Sequence, residues 1–243
     1  MKSKASISPR SLVILTGAGI SAESGIDTFR ASDGLWENHK ISEVATPEGF
    51  AANPIRVHEF YNARRAALKT VTPNAAHDAL ARLLAYSHKD NSELDVLLVT
   101  QNVDDLHERA GASAVIHMHG ELSRAKCTAC DWSWSFEGDM SLNESCPACH
   151  SVKTVRPDIV WFGEIPYAMK HIEVALVQCD LFVSIGTSGA VFPAGGFVQL
   201  ARAGGADTLE LNLERSEGSH HFQETRLGKA SALVPKWVDS LIR

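Results

Sequence analysis

A chain of 243 residues with 23 Lys and Arg against 29 Asp and Glu, for a formal net charge of −6, is long enough to bury a sizeable core but has no cationic excess. That balance speaks against nucleic acid or an anionic membrane as the main partner, since both are held by clustered cations. No run reaches the roughly eighteen uninterrupted apolar residues of a membrane span, and the stretch after MKSKASISPR is too short and glycine-rich for a secretion signal. A reducing, cytoplasmic setting is expected, where five cysteines serve more readily as metal ligands, a nucleophile or buried small hydrophobes than as disulfides.

The first strand is predicted at LVILT (12–16), followed by GAGISA from Gly17 to Ala22. This matches G-x-G-x-x-[G/A]: Gly17 for the tight turn, Gly19 to admit a pyrophosphate, Ala22 to let helix and strand pack closely. A strand-to-helix turn without a ligand competes about equally when the motif is taken alone. The strand before it favours a dinucleotide. A dehydrogenase would next show a strand ending in an acidic residue about twenty positions on, but the chain continues through SGIDTFRASDGLWENH with no strand. The acidic ribose partner is expected instead at Glu214, with Asn212.

Residues 25 to about 75 read as a helical module without strands. Within FYNARRAAL, Tyr61 and Arg64 stand at i and i+3 on one helix face. A phenol beside a guanidinium suits a carboxylate, because the planar fork donates two parallel hydrogen bonds. From spacing alone a solvated face competes with this reading, and Arg65 serves as well as Arg64.

A helix is predicted in NAAHDALARLLAYS, and nearly continuous apolar strands in DVLLVT (95–100), SAVIHMH (113–119), LFVSIGT (181–187) and DTLELNL (207–213), with ALV (232–234) as a short further run. Such strands belong to a parallel sheet covered by helices. FPAGGFVQLARAGG supplies another helix, stopping at Gly204 and Gly205. Strand ends bring Gly17 and Gly19, Gln101 through Asp104, His119, Gly186 through Gly189, and Glu214 to the carboxyl edge of the sheet, where open α/β sheets bind ligands. Of the two histidines in VIHMHG, His119 is the better general base. His117 fits a satisfied core position, and His77 and His107 read as structural.

Cys127-x-x-Cys130 and Cys146-x-x-Cys149 form a strong zinc pattern in which four thiolates close the shell, so the ion should be structural. His150 could replace a cysteine but is not needed. Cys179 reads as core.

Together GAGISAESGI, TQNVDDLHERAG, HMHGEL, the cysteine pairs, VWFGE, IGTSG and LNLE resemble the sirtuin family of NAD-dependent protein-lysine deacylases. The likeness runs from about Leu12 to Val234. It implies a Rossmann-like parallel sheet with helices on both faces (residues 1–24, 76–120 and 158–243) and a small domain made of the helical module (25–75) and zinc ribbon (121–157). It also implies that NAD is consumed: the acyl oxygen attacks the ribose carbon as nicotinamide leaves. His119 activates a ribose hydroxyl, and free lysine, nicotinamide and O-acyl-ADP-ribose result.

By this resemblance Asn102 orients the ribose or a water, Asp104 holds the carboxamide, and Phe29 and Arg30 cover the diphosphate and nicotinamide region. Ser188, Asn212 and Glu214 contact the adenosine half, and Ala230 lies near adenine. Ala18, Asp27, Gln101, Gly186 and Thr187 complete the implied cofactor contacts. An acyl-lysine protein or peptide would add as a strand between Gly163-Glu164 and Gly189-Ala190-Val191. The chain departs from the Pro-Asp-Phe-Arg pattern of most family deacetylases, with Asp27-Thr28-Phe29-Arg30. Likeness to the branch that removes succinyl and related acidic groups selects Arg64, with Tyr61, as the acyl-carboxylate grip. It implies activity on both acetyl- and succinyl-lysine. Protein ADP-ribosylation from NAD is the alternative, followed by a non-enzymatic zinc-ribbon binder and, last, a dehydrogenase.

Overall fold

The computed structural model describes residues 9–27, 35–36, 39–89 and 92–242. The chain opens with β1 (Ser11–Thr16), α1 (Ala18–Ser21), β2 (Leu35–Trp36), β3 (His39–Lys40), α2 (Ile41–Val44), α3 (Pro47–Ala52), α4 (Pro54–Leu68) and α5 (Ala75–Ser87). It continues through β4 (Asp95–Thr100), α6 (Leu106–Arg109), β5 (Ile116–His117), β6 (Gly120–Cys127), β7 (Ser133–Ser135), β8 (Val155–Ile159) and α7 (Met169–Gln178). It ends with β9 (Leu181–Ile185), α8 (Phe197–Gly204), β10 (Asp207–Asn212), β11 (Glu224–Leu227) and α9 (Ala230–Leu241).

Six strands form one parallel sheet in the order β11-β10-β9-β1-β4-β5. Alternation along β1 divides the apolar run between two cores: Leu12 and Ile14 face α5 and α9, whereas Val13 and Leu15 face α7 and α8. The sheet is therefore buried on both faces, which explains its nearly unbroken apolar sequences. Asn74 caps α5, its side chain accepting from the Ala76 amide while His77 Nδ1 takes the Asn74 amide. Gly205 ends α8 in the left-handed region at φ 97°.

Two expectations fail here. ALV (232–234) lies inside α9, where Val234, Trp237 and Val238 are buried at i, i+3 and i+4. A run of three apolar residues cannot tell strand from helix until the next turn is counted. In the other direction, β11 carries the polar sequence ETRL. As a largely exposed edge strand it needs no apolar run. The helical module also contains a strand pair, β2 with β3.

β7-β6-β8 form a separate antiparallel sheet from Gly120 to Ile159. Its Leu122 and Ile159 share a core with Val44, Val57, Phe60, Tyr61 and Trp161, so the helical module and the ribbon are packed into one body. Beyond that core the ribbon has a small apolar cluster of its own, Ala125, Met140 and Val155, flanked by Trp134 and Phe136. The sulfurs of Cys127, Cys130, Cys146 and Cys149 lie within 4.8 Å of one another. Two of the S···S separations are 3.6 and 3.7 Å. A tetrahedral zinc with bonds of about 2.3 Å requires S···S near about 3.8 Å, so the donor set and spacing fit one structural Zn²⁺. No helix among the described residues is long and apolar enough to cross a membrane.

The loops after β1 and β9 touch backbone to backbone. The Gly17 amide donates to Ile185 O at 3.0 Å and the Gly19 amide to Gly186 O at 2.8 Å. A Cβ on Gly186, whose φ is +63°, would stand 2.5 Å from the Ile20 nitrogen.

Gly186→Ala should therefore destabilise the protein by ~2–4 kcal/mol, combining left-handed strain with a clash that backbone cannot relieve. Gly111→Ala, with φ +95° but nothing within 4 Å of the added carbon, should lose only ~1 kcal/mol. Thermal unfolding of the pair measures the difference, and equal losses would refute the interlock. Zinc removal by a chelator should expose the four cysteine thiols to alkylation and lower the melting temperature, because the ribbon's own core is too small to hold it; unchanged thiol reactivity would show that no metal is held.

Candidate active site

A cleft of about 860 Å³ opens at the carboxyl edge of the parallel sheet, between it and the body formed by α4 and the ribbon. This is the upper end of the roughly 300–1,000 Å³ range of small-molecule and cofactor sites. The loop after β1 brings Gly17, Ala18, Gly19, Ala22 and Asp27 to it, and the loop after β9 brings Gly186, Thr187 and Ser188. Asn212 and Glu214 follow β10, and Ala230 begins α9. Phe29 and Arg30 lie outside the described residues.

One glycine-loop expectation needs correcting. A Cβ on Gly19 would meet Gly186 Cα at 2.7 Å, so the neighbouring loop by itself forbids a side chain there. Ala22, expected to let helix and strand pack closely, is exposed on the cleft wall, in the short 3-10 turn after α1. Ile20 and Ser21 are the buried residues of that helix. Further along the edge, Asn212 Nδ2 donates to Thr187 O at 2.7 Å and its Oδ1 accepts from the Leu213 amide. Asn212 thus fastens the β9 loop from below. Buried Glu210 accepts from Ser219 at 2.5 Å and from Thr225 at 3.0 Å, holding the loop that carries Glu214. An acidic residue inside the apolar run LELNL was the available clue.

Gln101, Asn102, Asp104 and His119 line the floor. His119 Nδ1 donates to Gln101 O at 3.1 Å; a carbonyl only accepts, so in the neutral ring the lone pair resides on Nε2. Burial lowers the His119 pKa below its ordinary 6.5, opposed by that backbone bond. His117 is anchored differently, with Nδ1 on Asn102 O at 3.2 Å and Nε2 on Glu108 at 2.9 Å.

Behind the floor lies a buried polar chain that sequence reasoning passed over. Ser21 Oγ donates to Asp104 Oδ2 at 3.0 Å and accepts from Asn102 Nδ2 at 3.1 Å. His77 Nε2 reaches the same hydroxyl at 3.4 Å. Thr16 gives its proton to Thr100, so His107 Nε2, 3.0 Å away, must donate to Thr16. Burial is the main reason that His77 is pushed down to about 4 and His107 to about 3, which keeps both rings neutral. Burial also raises the Asp104 pKa, against hydrogen bonds from the Leu106 amide and Ser21. His77 and His107 are structural in the sense that they orient the floor.

On the opposite wall, Tyr61 and Arg64 line the cleft one turn apart on α4. Arg65 is turned away: its guanidinium donates to Gly138 O at 3.1 Å, Leu122 O at 3.4 Å and Asn62, and lies 5.7 Å from the Phe136 ring centre. Of the two arginines that spacing left equivalent, Arg64 is the one that lines the cleft. Gly163, Glu164 and Val191 border the cleft mouth. The Glu164 side chain is gripped by Arg156 through two hydrogen bonds of 2.9 and 2.8 Å, and its backbone amide donates to Trp161 O at 3.0 Å. The cysteine cluster has no member on the cleft wall.

The Sir2 family pattern matches residues 17–193. An NAD-dependent protein deacylase of Caulobacter vibrioides is 54% identical over 229 residues, covering 94% of this chain and 95% of its own. The NAD-dependent protein deacylase SIR2rp3 of Leishmania major is 52% identical, with 96% of each chain covered. Among solved structures, a Sir2 homolog–NAD complex superimposes with a TM-score of 0.84 at 36% identity, covering 96% of this chain and 90% of that one. A Sir2 bound to acetylated peptide gives 0.79 at 26%, covering 96% and 93%. With a matching family pattern over most of its length and close relatives end to end, the chain belongs to the Sir2 family, the sirtuins.

Proposed function

We propose that this sirtuin is an NAD-dependent protein deacylase that removes both acetyl and succinyl groups from lysine, yielding free lysine, nicotinamide and O-acyl-ADP-ribose. The observation that carries the reading is the placement of a neutral, backbone-anchored His119 on the floor of a dinucleotide-sized cleft, facing a wall that bears Tyr61 and Arg64. The two packed bodies are read as two domains, the parallel-sheet body (1–24, 76–120, 158–243) and the helical module with the ribbon (25–75, 121–157).

NAD, when bound, supplies a ribose carbon from which nicotinamide departs. The glycine loops, with Ser188, Asn212 and Glu214 further along the edge, would hold the dinucleotide, and the Asn102–Asp104 floor would hold its ribose and carboxamide end. The family names of the relatives and the volume of the cleft support this assignment. His119 accepts a hydroxyl proton at Nε2, while its Nδ1–H remains on Gln101 and fixes the ring plane. Asn102 cannot swing, because its amide is held by Ser21. The acyl-lysine enters from the mouth between the segments of Glu164 and Val191, and a carboxylate at the end of a succinyl chain would meet Arg64 and Tyr61.

His119→Ala should lower kcat for deacylation by roughly 10²–10⁴ with NAD binding retained, measured by mass spectrometry of acetyl- and succinyl-lysine peptides. Full activity in this variant would remove His119 as the base. Because burial depresses its pKa, the competent neutral form persists below pH 6.5, and kcat/KM should fall only as pH drops through that lowered value. An acid limb centred above 6.5 would contradict the assignment. Arg64→Met should reduce desuccinylation by roughly 10–100-fold, since a desolvated carboxylate loses its charged partner, while deacetylation falls much less; equal losses on both substrates would show that Arg64 does not read the acyl end.

A further inference from the structure

The two histidines of HMH (117–119) take consecutive carbonyls of the loop after β4. His119 Nδ1 donates to Gln101 O at 3.1 Å, and His117 Nδ1 to Asn102 O at 3.2 Å. Between them Met118 is buried, and its amide donates to Thr100 O at 3.0 Å. The rings differ at their second nitrogen. His119 Nε2 has no partner among the described residues of the cleft it lines, whereas His117 Nε2 lies 2.9 Å from the Glu108 carboxylate, on a side chain only 8% exposed. A carbonyl and a carboxylate both only accept, so a ring placed between them satisfies both only when each nitrogen carries a proton. Asn102 is thereby held at three points: its amide donates to Thr100 Oγ1 at 3.0 Å, its side chain donates to Ser21, and its carbonyl accepts from His117.

We infer that His117 works as an imidazolium, a positioning residue that ties the Asn102 carbonyl to Glu108 and so holds the cleft floor beside a His119 that must be neutral. This rests on the deacylase reading above, in which Asn102 and His119 meet the ribose. The charged groups around the ring suit a cation. Glu108 faces it from α6 and Glu121 from β6. On the floor, Asp104 accepts at both oxygens, from the Leu106 amide and from Ser21, and its carboxylate is favoured by the His117 charge. His107 stays neutral. On its outer side the ring borders a shallow pocket whose cations are already matched: Arg124 lies 3.7 Å from Asp158 and Lys126 3.4 Å from Asp131. Tyr167 there donates its proton to Asp158. Burial opposes charge on His117, but Glu108, Glu121 and the Asn102 carbonyl outweigh it and raise the pKa above the ordinary 6.5, opposite to the shift of His119. Two histidines of one strand end, pushed apart in this way, bound a working window: competence rises as His119 loses its proton and falls as His117 loses its own. A neutral His117 keeps its remaining proton on Glu108, the charge-assisted bond, and turns a lone pair on Asn102 O.

The test combines nuclear magnetic resonance of the ring nitrogens in the full, zinc-loaded chain, with signals assigned by His117→Gln and His119→Gln, and kcat for an acetyl-lysine peptide at saturating NAD across pH. The His117 signal should titrate with a midpoint above 6.5 and the His119 signal below it, and the Asn102 carbonyl carbon should shift with the His117 midpoint. As pH rises through that midpoint kcat should fall about tenfold, because a floor carbonyl loses its donor. In Glu108→Gln the side-chain amide can donate to Nε2 of a neutral ring, so Nδ1–H stays on Asn102. The midpoint should then drop and the alkaline fall vanish, making the variant the faster enzyme above the parent's midpoint; a residue needed only for packing would leave it slower at every pH. A His117 midpoint at or below 6.5, an Asn102 carbonyl that does not follow it, or an alkaline fall that survives Glu108→Gln would overturn the inference. Should the rings and the carbonyl behave as expected in a chain that removes no acyl group, the deacylase reading falls and the His117 clamp on Asn102 stands.

Discussion

The constraint on which the rest of the structure depends is the contact between two glycine loops at the middle of the parallel sheet. β1 sits between β9 and β4, so the chain departs to one side after β1 and returns on the other, and the loops after β1 and β9 flank the point of reversal. Gly17, Gly19 and Gly186 let those loops close to backbone hydrogen-bond distance. Any side chain at Gly19 or Gly186 would force them apart. Everything on the cleft floor is referenced to this contact, because α1 begins at Ala18 and carries Ser21 into the buried polar chain.

That polar chain is costly to bury and is tolerated because each of its donors along the Ser21–Asp104 path has an acceptor. Ser21 receives from Asn102 and His77 and passes its own proton to Asp104. Desolvation keeps His77 and His107 neutral, so neither ring adds a buried cation behind the floor. A scaffold of this kind fixes Asn102 and Asp104 before any ligand arrives, which is what a site for a large, polar dinucleotide requires. His119 is prepared by the same means, with one ring nitrogen committed to a backbone carbonyl and the other left basic.

The opposite wall is prepared by the ribbon. Its Gly138 and Leu122 carbonyls draw Arg65 away from the cleft and leave Arg64 on the lining face of α4. The four cysteines act at a distance: they are remote from the cleft, but they hold the strands that supply Leu122 and Ile159 to the core behind Tyr61. Loss of the metal site would therefore be felt at the wall that bears Tyr61 through packing.

Much of this could be read from residues alone. The strands that lie inside the sheet declare themselves by unbroken apolar runs, because burial on both faces admits little else, and the cysteine pairs declare a tetrahedral sulfur site because the ligand spacing is local in sequence. The residues at the ends of those strands could be named as one edge for the same reason. What composition and period could not supply was anything resting on contacts between distant segments. β11 has no pattern because an exposed edge strand is under no apolar demand, and ALV (232–234) became helix because Trp237 and Val238 complete a face against α5. Arg64 and Arg65 are adjacent in the chain and equivalent in chemistry; only the placement of Gly138 and Leu122 beside α4 separates them. Likewise Ser21 and His77 acquire roles only when folding brings Asp104 and Asn102 within hydrogen-bonding distance of the Ser21 hydroxyl, and a directional, short-range interaction of that kind leaves no trace in a one-dimensional sequence.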